Sequence, residues 1–459
     1  MKQVPYLGPY YRQSVGEIGK IGIRSVRYVT TGRCSEMGQK TEMSQKSNYC
    51  RFLLLWSGEL ISAIGSGLTS FGLGVYIFQR TGSAANMALV SLLAFMPTLL
   101  LSAPAGVLAD RYDRRLLMMA GDGLSMLGLA YILICMLSGE VKLYQICTGV
   151  FISAIFSSLL EPAYRATVTD LLTKEEYSKA GGMVSIAGSA RYLISPLIAG
   201  LLLSVSDVKL LLILDISTFL LTLICTGIVR KGIRTKSQET TDGFIESFRE
   251  GWQTIREKRG VLILIIVSSV MTCFMGVMQV LAEPMILDFE SSRILGITET
   301  ICASGMLVSS VIIGIRGLKE NFTGILSISL AAAGLSMVGF GFRENVVMIG
   351  CFGFLFFFML PFANNCLDYL VRTNIEDSRQ GRVWGLIGFL SQIGYVVAYA
   401  ASGLLADHAA AAGNISIGRG AAAVIMVSGM MLAGTAAVLY PLKDVRKLEG
   451  ETNEQTNDN

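Results

Sequence analysis

The sequence predicts an all-α integral membrane protein of twelve transmembrane helices in two six-helix halves. Composition is the first reason. Of 459 residues, 52% are hydrophobic and only 16% charged, with a mean hydropathy of +0.56. Soluble domains carry about 25% charged residues, so a chain this long and this poor in charge covers its surface with lipid more cheaply than with water. Span length is the second reason: twelve apolar runs approach or exceed the ~20 residues that cross a bilayer. The third is the uneven placement of basic residues in the connections, which sets orientation.

The first six runs lie near 51–78, 86–108, 116–137, 142–165, 180–204 and 208–230. The second six lie near 260–287, 294–315, 321–341, 345–373, 382–406 and 417–441. Residues 47–230 and 260–442 are therefore expected to form the two halves, with a tail at 443–459. The polar linker 231–259 turns amphipathic in its second part. There Phe244, Ile245, Phe248, Trp252 and Ile255 recur at helical spacing against Glu246, Arg249, Glu250 and Arg256. Such a stretch is expected to form a helix on the membrane surface. Residues 1–46 are basic, with no continuous apolar core of the kind a signal peptide needs. They read as a disordered extension or as residues upstream of a true start near Met43.

If the first span begins inside the cell, the inner connections hold Arg111, Arg114, Arg115, Lys174, Lys179, the linker cluster, Arg316, Lys319, Arg372, Arg379, Arg382 and Lys443. The outer connections hold little beyond Arg80, Lys142, Lys209, Arg293, Arg343 and Arg419. Both termini are thus expected in the cytoplasm, with the chain in a plasma membrane. The composition excludes other classes. No basic face with interleaved aromatics points to nucleic acid. The nine cysteines and single His408 show no ligand spacing, and no phosphate loop or dinucleotide fingerprint occurs, so neither metal, cofactor nor enzyme chemistry is expected.

The segment Gly106-Val107-Leu108-Ala109-Asp110-Arg111-Tyr112-Asp113-Arg114-Arg115 packs five charges into six residues between two apolar runs. Its spacing resembles the loop signature of the major facilitator superfamily, Gly-x-x-x-Asp-Arg-x-Gly-Arg-Arg/Lys, with Asp113 in place of the second glycine. Further along, Ser195-Pro196-Leu197-Ile198-Ala199-Gly200 resembles the Gly-Pro-x-x-Gly-Gly motif of the superfamily's antiporters. The start Leu55-Trp56-Ser57-Gly58-Glu59, the segments Glu161-Pro162-Ala163-Tyr164-Arg165 and Leu214-Asp215-Ile216-Ser217-Thr218, and Ile375–Val383 narrow the likeness to the macrolide-efflux branch, which includes enterobactin-exporter-like proteins.

The resemblance implies the major facilitator fold, no enzyme activity and secondary transport, with Gly106, Asp110, Arg111, Arg114 and Arg115 as a conformational gate. It implies a helix bend at Pro196, with Gly200 permitting close approach. The corresponding loop of the second half, Gly314–Glu320, keeps basic residues and loses the aspartate. Gly403-Leu404-Leu405-Ala406-Asp407 echoes residues 106–110 but falls at the outer end of the eleventh run, so it is not expected to be a second gate.

Ionisable groups at membrane depth are costly and mark function. With one histidine in the chain, proton coupling falls to carboxylates, with Glu59 first and Asp215 and Glu283 behind it. Glu59 and Arg191 are expected to meet as a cavity ion pair. Gln279, Asn364, Asn365, Gln392 and Tyr395 complete the expected substrate cavity. The expected activity is proton-driven efflux of an amphipathic small molecule by a bacterial monomer in the lipid bilayer. A siderophore or metabolite exporter, or an importer, is the alternative, and a membrane sensor or scaffold stands further off.

Overall fold

The computed structural model describes residues 40–173, 176–230, 252–253, 255–256, 258–318, 321–375, 380–442, 445 and 448–449. The first helix begins within the expected extension, at Lys40, and residues 1–39 of that extension and most of the linker and tail thus lie outside the described residues. Within them the chain is helical throughout, and twelve helices or helix pairs are long and apolar enough to cross a membrane. They are α1 (Lys40–Thr81), α2 (Ala84–Arg111), α3 (Arg114–Ser138), α4 (Leu143–Ser157), α5 (Leu160–Leu171), α6 (Tyr177–Leu193), α7 (Ser195–Leu203) and α8 (Val208–Arg230) in the first half. The second half comprises α9 (Arg259–Leu287), α10 (Ser292–Arg316), α11 (Phe322–Phe342), α12 (Val346–Thr373), α13 (Gln380–Gly413) and α14 (Ile417–Leu439).

Short polar residues set the helix ends. Ser83, Asp113, Ser291, Asn345 and Ser416 each accept a hydrogen bond from a first-turn backbone N–H of the helix they precede. Two spans are broken at proline. Pro162 removes the backbone donor to residue 158, and the fourth span divides there into α4 and α5. Pro196 does the same to the fifth, which divides at Ile194 into α6 and α7. Two expected boundaries need correction. The fourth span runs on to Leu171, and α13 continues past 406 to Gly413, which places Asp407 inside a helix.

Each half packs mainly on itself, and the halves meet through α2 against α13 and α7 against α10, with α9 touching α1 and α2. We name the two ends of the bundle by the connections Gly82-Ser83 and Tyr112-Asp113. At the Asp113 end, Lys258 Nζ donates to Asn374 O (2.7 Å), and Glu449 accepts from Phe322 N (2.7 Å) at the start of α11. Ile255 of the linker is buried in the core of the second half. At that residue the amphipathic stretch turns its apolar side to protein rather than to a membrane surface.

Candidate functional site

A cavity of about 270 Å³ lies where α1, α2, α3, α4, α6 and α8 face α9. Its polar lining is Ser66, Thr69, Ser70, Ser91, Thr98, Ser153, Ser157, Arg191, Asp215, Gln279 and Glu283, and its apolar lining includes Leu73, Met87, Val90 and Phe219. Arg191 Nη2 donates to Ser70 Oγ (3.2 Å). The buried Asp215 carboxylate accepts from Ser66 Oγ and Thr218 Oγ1 (each 3.4 Å), within electrostatic reach of Arg191. Gly65 makes this possible, because a side chain there would run into Thr218 and the Asp215 carboxylate.

Glu283 enters from α9. A side chain on Gly74 of α1 would collide with its Oε2, and that oxygen is buried with no hydrogen-bond partner. Glu299 of α10 lies within its electrostatic reach. Beside the cavity an aromatic cluster bridges the halves. Phe95 of α2 packs on Tyr395 (5.4 Å between centroids) and edge-on to Tyr399 (5.6 Å) of α13. The two hydroxyls are held in place by α9, since Tyr395 donates to Met275 Sδ (3.0 Å) and Tyr399 to Gln279 Oε1 (2.8 Å).

Several expected site residues stand elsewhere. Arg191 meets Ser70, eleven residues beyond Glu59 along α1, which is about 16 Å of helix rise. The expected Glu59–Arg191 pair is therefore not formed. Glu59 instead lies within electrostatic reach of Asp122, Glu161 and Tyr164, and both Asp122 oxygens are buried without a hydrogen-bond partner. Asn364 and Asn365 are exposed, and Asn365 donates to Pro361 O of its own helix (3.3 Å). Gln392 lies one turn before Tyr395, and its Oε1 is buried and unpartnered. None of these four residues lines the cavity. Glu299 and Phe95 were not among the expected residues. Glu299 had a signal, since it is an ionisable residue inside an apolar run.

The halves approach closely at the Ser83 end. A Cβ on Gly296 of α10 would strike Pro196 O, and one on Gly200 of α7 would lie 2.6 Å from Ser292 O. Opposite them, Asp407 of α13 accepts from Ser83 Oγ (2.6 Å), Ala84 N (2.9 Å) and Ala85 N (3.2 Å), so it caps the start of α2 from the other half. Asp407 is thus a cross-half contact, which the sequence reading did not give it.

The 106–115 segment bonds differently. Asp113 caps α3 through Arg115 N (3.1 Å) and pairs with Arg230 Nε of α8 (2.9 Å). Arg114 pairs with Asp170 (2.8 Å) and donates to Ala166 O and Ala109 O. Arg115 is buried, Gly106 half-buried and Arg111 exposed, and the Asp110 side chain lies outside the described residues. All these partners belong to the first half.

The broken, pairwise-packed spans and the seam between halves agree with what the chain resembles in sequence. The Major Facilitator Superfamily profile matches residues 55–399, most of the chain. The chain belongs to the Major Facilitator Superfamily. Among relatives of this superfamily, "Macrolide efflux protein A" of Streptococcus pyogenes is 25% identical over 408 residues, covering 87% of this chain and 97% of that protein. "Multidrug efflux pump Tap" of Mycolicibacterium fortuitum is 21% identical, covering 85% and 95%. The fold matches the crystal structure of a bacterial homologue of the human lysosomal transporter Spinster, in an inward-facing and unoccupied conformation. That match has a TM-score of 0.69 at 14% identity, over 90% of this chain and 99% of that one. The chain is a multi-pass membrane transporter of this superfamily and not an enzyme, and it is similar over most of its length to macrolide efflux proteins.

Proposed function

We propose that this transporter exports an amphipathic, macrolide-like small molecule in exchange for protons, by rocking its two halves around the cavity. One observation carries the reading. The halves are locked together at the Ser83 end by the α7–α10 crossing and the Asp407 cap, and a cavity lined by Arg191, Asp215 and Glu283 lies behind that lock. A mixed wall of that kind suits a molecule with a large apolar body and a few polar groups. The basic connections support a cytoplasmic Asp113 end, and in that orientation the lock closes the outer face. The named relatives' efflux activity supports the outward direction of transport.

Carboxylates are the proton carriers in this scheme. Asp215 and Glu283 stand at the cavity, and Glu59 with Asp122 forms a second group toward the Asp113 end. A siderophore or metabolite exporter is the second reading, favoured by Arg191, whose guanidinium lines the cavity and suits an anionic group.

The test is accumulation of a radiolabelled macrolide and of a fluorescent amphipathic dye in an efflux-deficient bacterial host, with and without the protein and a protonophore. Accumulation several-fold lower with the protein, and restored by the protonophore, is expected. Equal accumulation in all four conditions contradicts the reading.

A further inference from the structure

We propose that the cavity is a glycosyl site, in which the first half holds a neutral, polyhydroxylated group of the exported molecule, such as a sugar ring. The inference rests on the export reading above and names the part of the substrate that this cavity selects.

The ground is a set of hydroxyls that the protein leaves unpaired. A serine or threonine inside a helix commonly bonds back to the carbonyl one turn earlier. Across this bundle Thr148, Thr167, Ser185, Ser327 and Ser336 all do so, at 2.6–3.0 Å. Around the cavity the pattern stops. Thr69 Oγ1 of α1 is buried with no hydrogen-bond partner. The hydroxyls of Ser91 and Thr98 on α2 and of Ser153 on α4 form no hydrogen bond among the described residues. All four side chains line the cavity. A hydroxyl left unpaired inside a bundle is costly, so these groups take their partners from whatever fills the space.

Close packing holds the hydroxyls in place. Gly128 of α3 and Gly149 of α4 let those helices touch, since a side chain on either would meet the other's carbonyl oxygen. Ser125 Oγ of α3 then donates to Ser153 O (3.0 Å) and lies in hydrogen-bond contact with Ser157 Oγ (2.9 Å). These bonds fix α4 with Ser153 and Ser157 on the cavity wall.

The chemistry of the ligand follows from what stays open. The first-half charges have partners of their own, for Arg191 donates to Ser70 and Asp215 accepts from Ser66 and Thr218. The four free groups are hydroxyls, each able to donate and to accept. A polyol matches them group for group, whereas a bare hydrocarbon leaves them unpaired. Leu73, Met87, Val90 and Phe219 share the wall and suit the C–H faces of a sugar ring. At about 30 Å³ per water molecule, a cavity of about 270 Å³ takes a group the size of one monosaccharide.

Ligand binding to the intact protein in nanodiscs tests this. The probes are a tritiated macrolide that carries its sugars and the tritiated macrolactone stripped of them. A site that hydrogen-bonds ligand hydroxyls rejects an analogue lacking them, because its own groups are left unpaired. Wild type should bind the glycosylated form at least ten-fold more tightly, a comparison that needs no variant. In Ser91→Ala combined with Ser153→Ala that preference should shrink to about two-fold or less. In Ser185→Ala, whose hydroxyl bonds Gly181 O and lies outside the cavity lining, it should persist. Equal affinities in wild type would mean that the hydroxyls hold water only, and would overturn the proposal. A preference that survives in the double variant would overturn it too. If neither form binds, the macrolide reading fails, and hexyl glucoside compared with hexanol decides the site. The glucoside should raise the melting temperature of wild type more than the alcohol does, and that of the double variant no more than the alcohol does. Equal shifts in wild type would overturn the glycosyl site itself.

Discussion

The segments Gly106-Val107-Leu108-Ala109-Asp110 and Gly403-Leu404-Leu405-Ala406-Asp407 are near copies in sequence, each toward the C-terminal part of a long helix, α2 and α13. These helices pack against each other, and each aspartate lies toward the end where the other helix starts. Yet the two regions bond to different partners. Around 106–115, the pairs Asp113–Arg230 and Arg114–Asp170 stay within the first half. At 403–407, Asp407 crosses to the first half and Gly403 lies against Ala84 and Ala85. Dense charge marks the first segment in the sequence, whereas a lone aspartate in an apolar run marks the second. The contrast teaches that charge density does not mark the cross-half contact: the lone Asp407 spans the two halves, while Asp113 and Arg114 pair within one.

The comparison can be broken most directly at the α7–α10 crossing. Gly296→Val would drive a side chain into the Pro196 backbone, and overpacking of this kind costs about 1–3 kcal/mol. Macrolide export should fall by roughly ten-fold or more, while the detergent-purified protein stays monodisperse. Normal export in that variant would show that the crossing is not part of the closed state.

Asp407→Ala removes a cap worth about 1–2 kcal/mol, roughly a 5–30-fold shift in the balance of states. Faster exchange of amides 84–88 should report it. Asp110→Asn should impair export while leaving insertion and fold intact, and should leave the Ser83 end at least as protected as in wild type. Together these two variants separate reciprocal latches from a single one.

Asp113→Ala should lower the first half's stability by about 1 kcal/mol, the usual worth of a helix cap, with export nearly unchanged. Differential scanning in nanodiscs reads that change. The smallest effect belongs to Arg165→Ala, which breaks an exposed pair with Glu161 spaced one helical turn apart. A loss of about 0.3–0.5 kcal/mol and unaltered export are expected.

The spans were legible because a bilayer imposes a length and a polarity that a single sequence displays in full. Their ends were less so, since α13 runs to Gly413 through residues that no longer need to be apolar. The break in the fourth span had a visible cause in Pro162. Pairings between helices were not legible. Glu59 and Arg191 are both membrane-embedded and of opposite sign, but their offset along α1 depends on how the helices are staggered, which no single-chain pattern records. Asp215 became part of the cavity because Gly65 lets α1 approach α8, a relation between two distant segments. Asp113 carried a local signal, a departure from the family glycine, whose partner Arg230 lies at the far end of α8.

The most direct measurement cross-links the closed seam. A Cβ on Gly403 would lie 2.7 Å from that of Ala88, so Ala88→Cys with Gly403→Cys places two thiols within disulfide reach after a small adjustment. The pair is made with the nine native cysteines replaced by serine. If transport requires the Ser83 end to open, oxidation abolishes macrolide export from cells and reduction restores it. Export that continues unchanged with the disulfide formed would contradict alternating access through this seam.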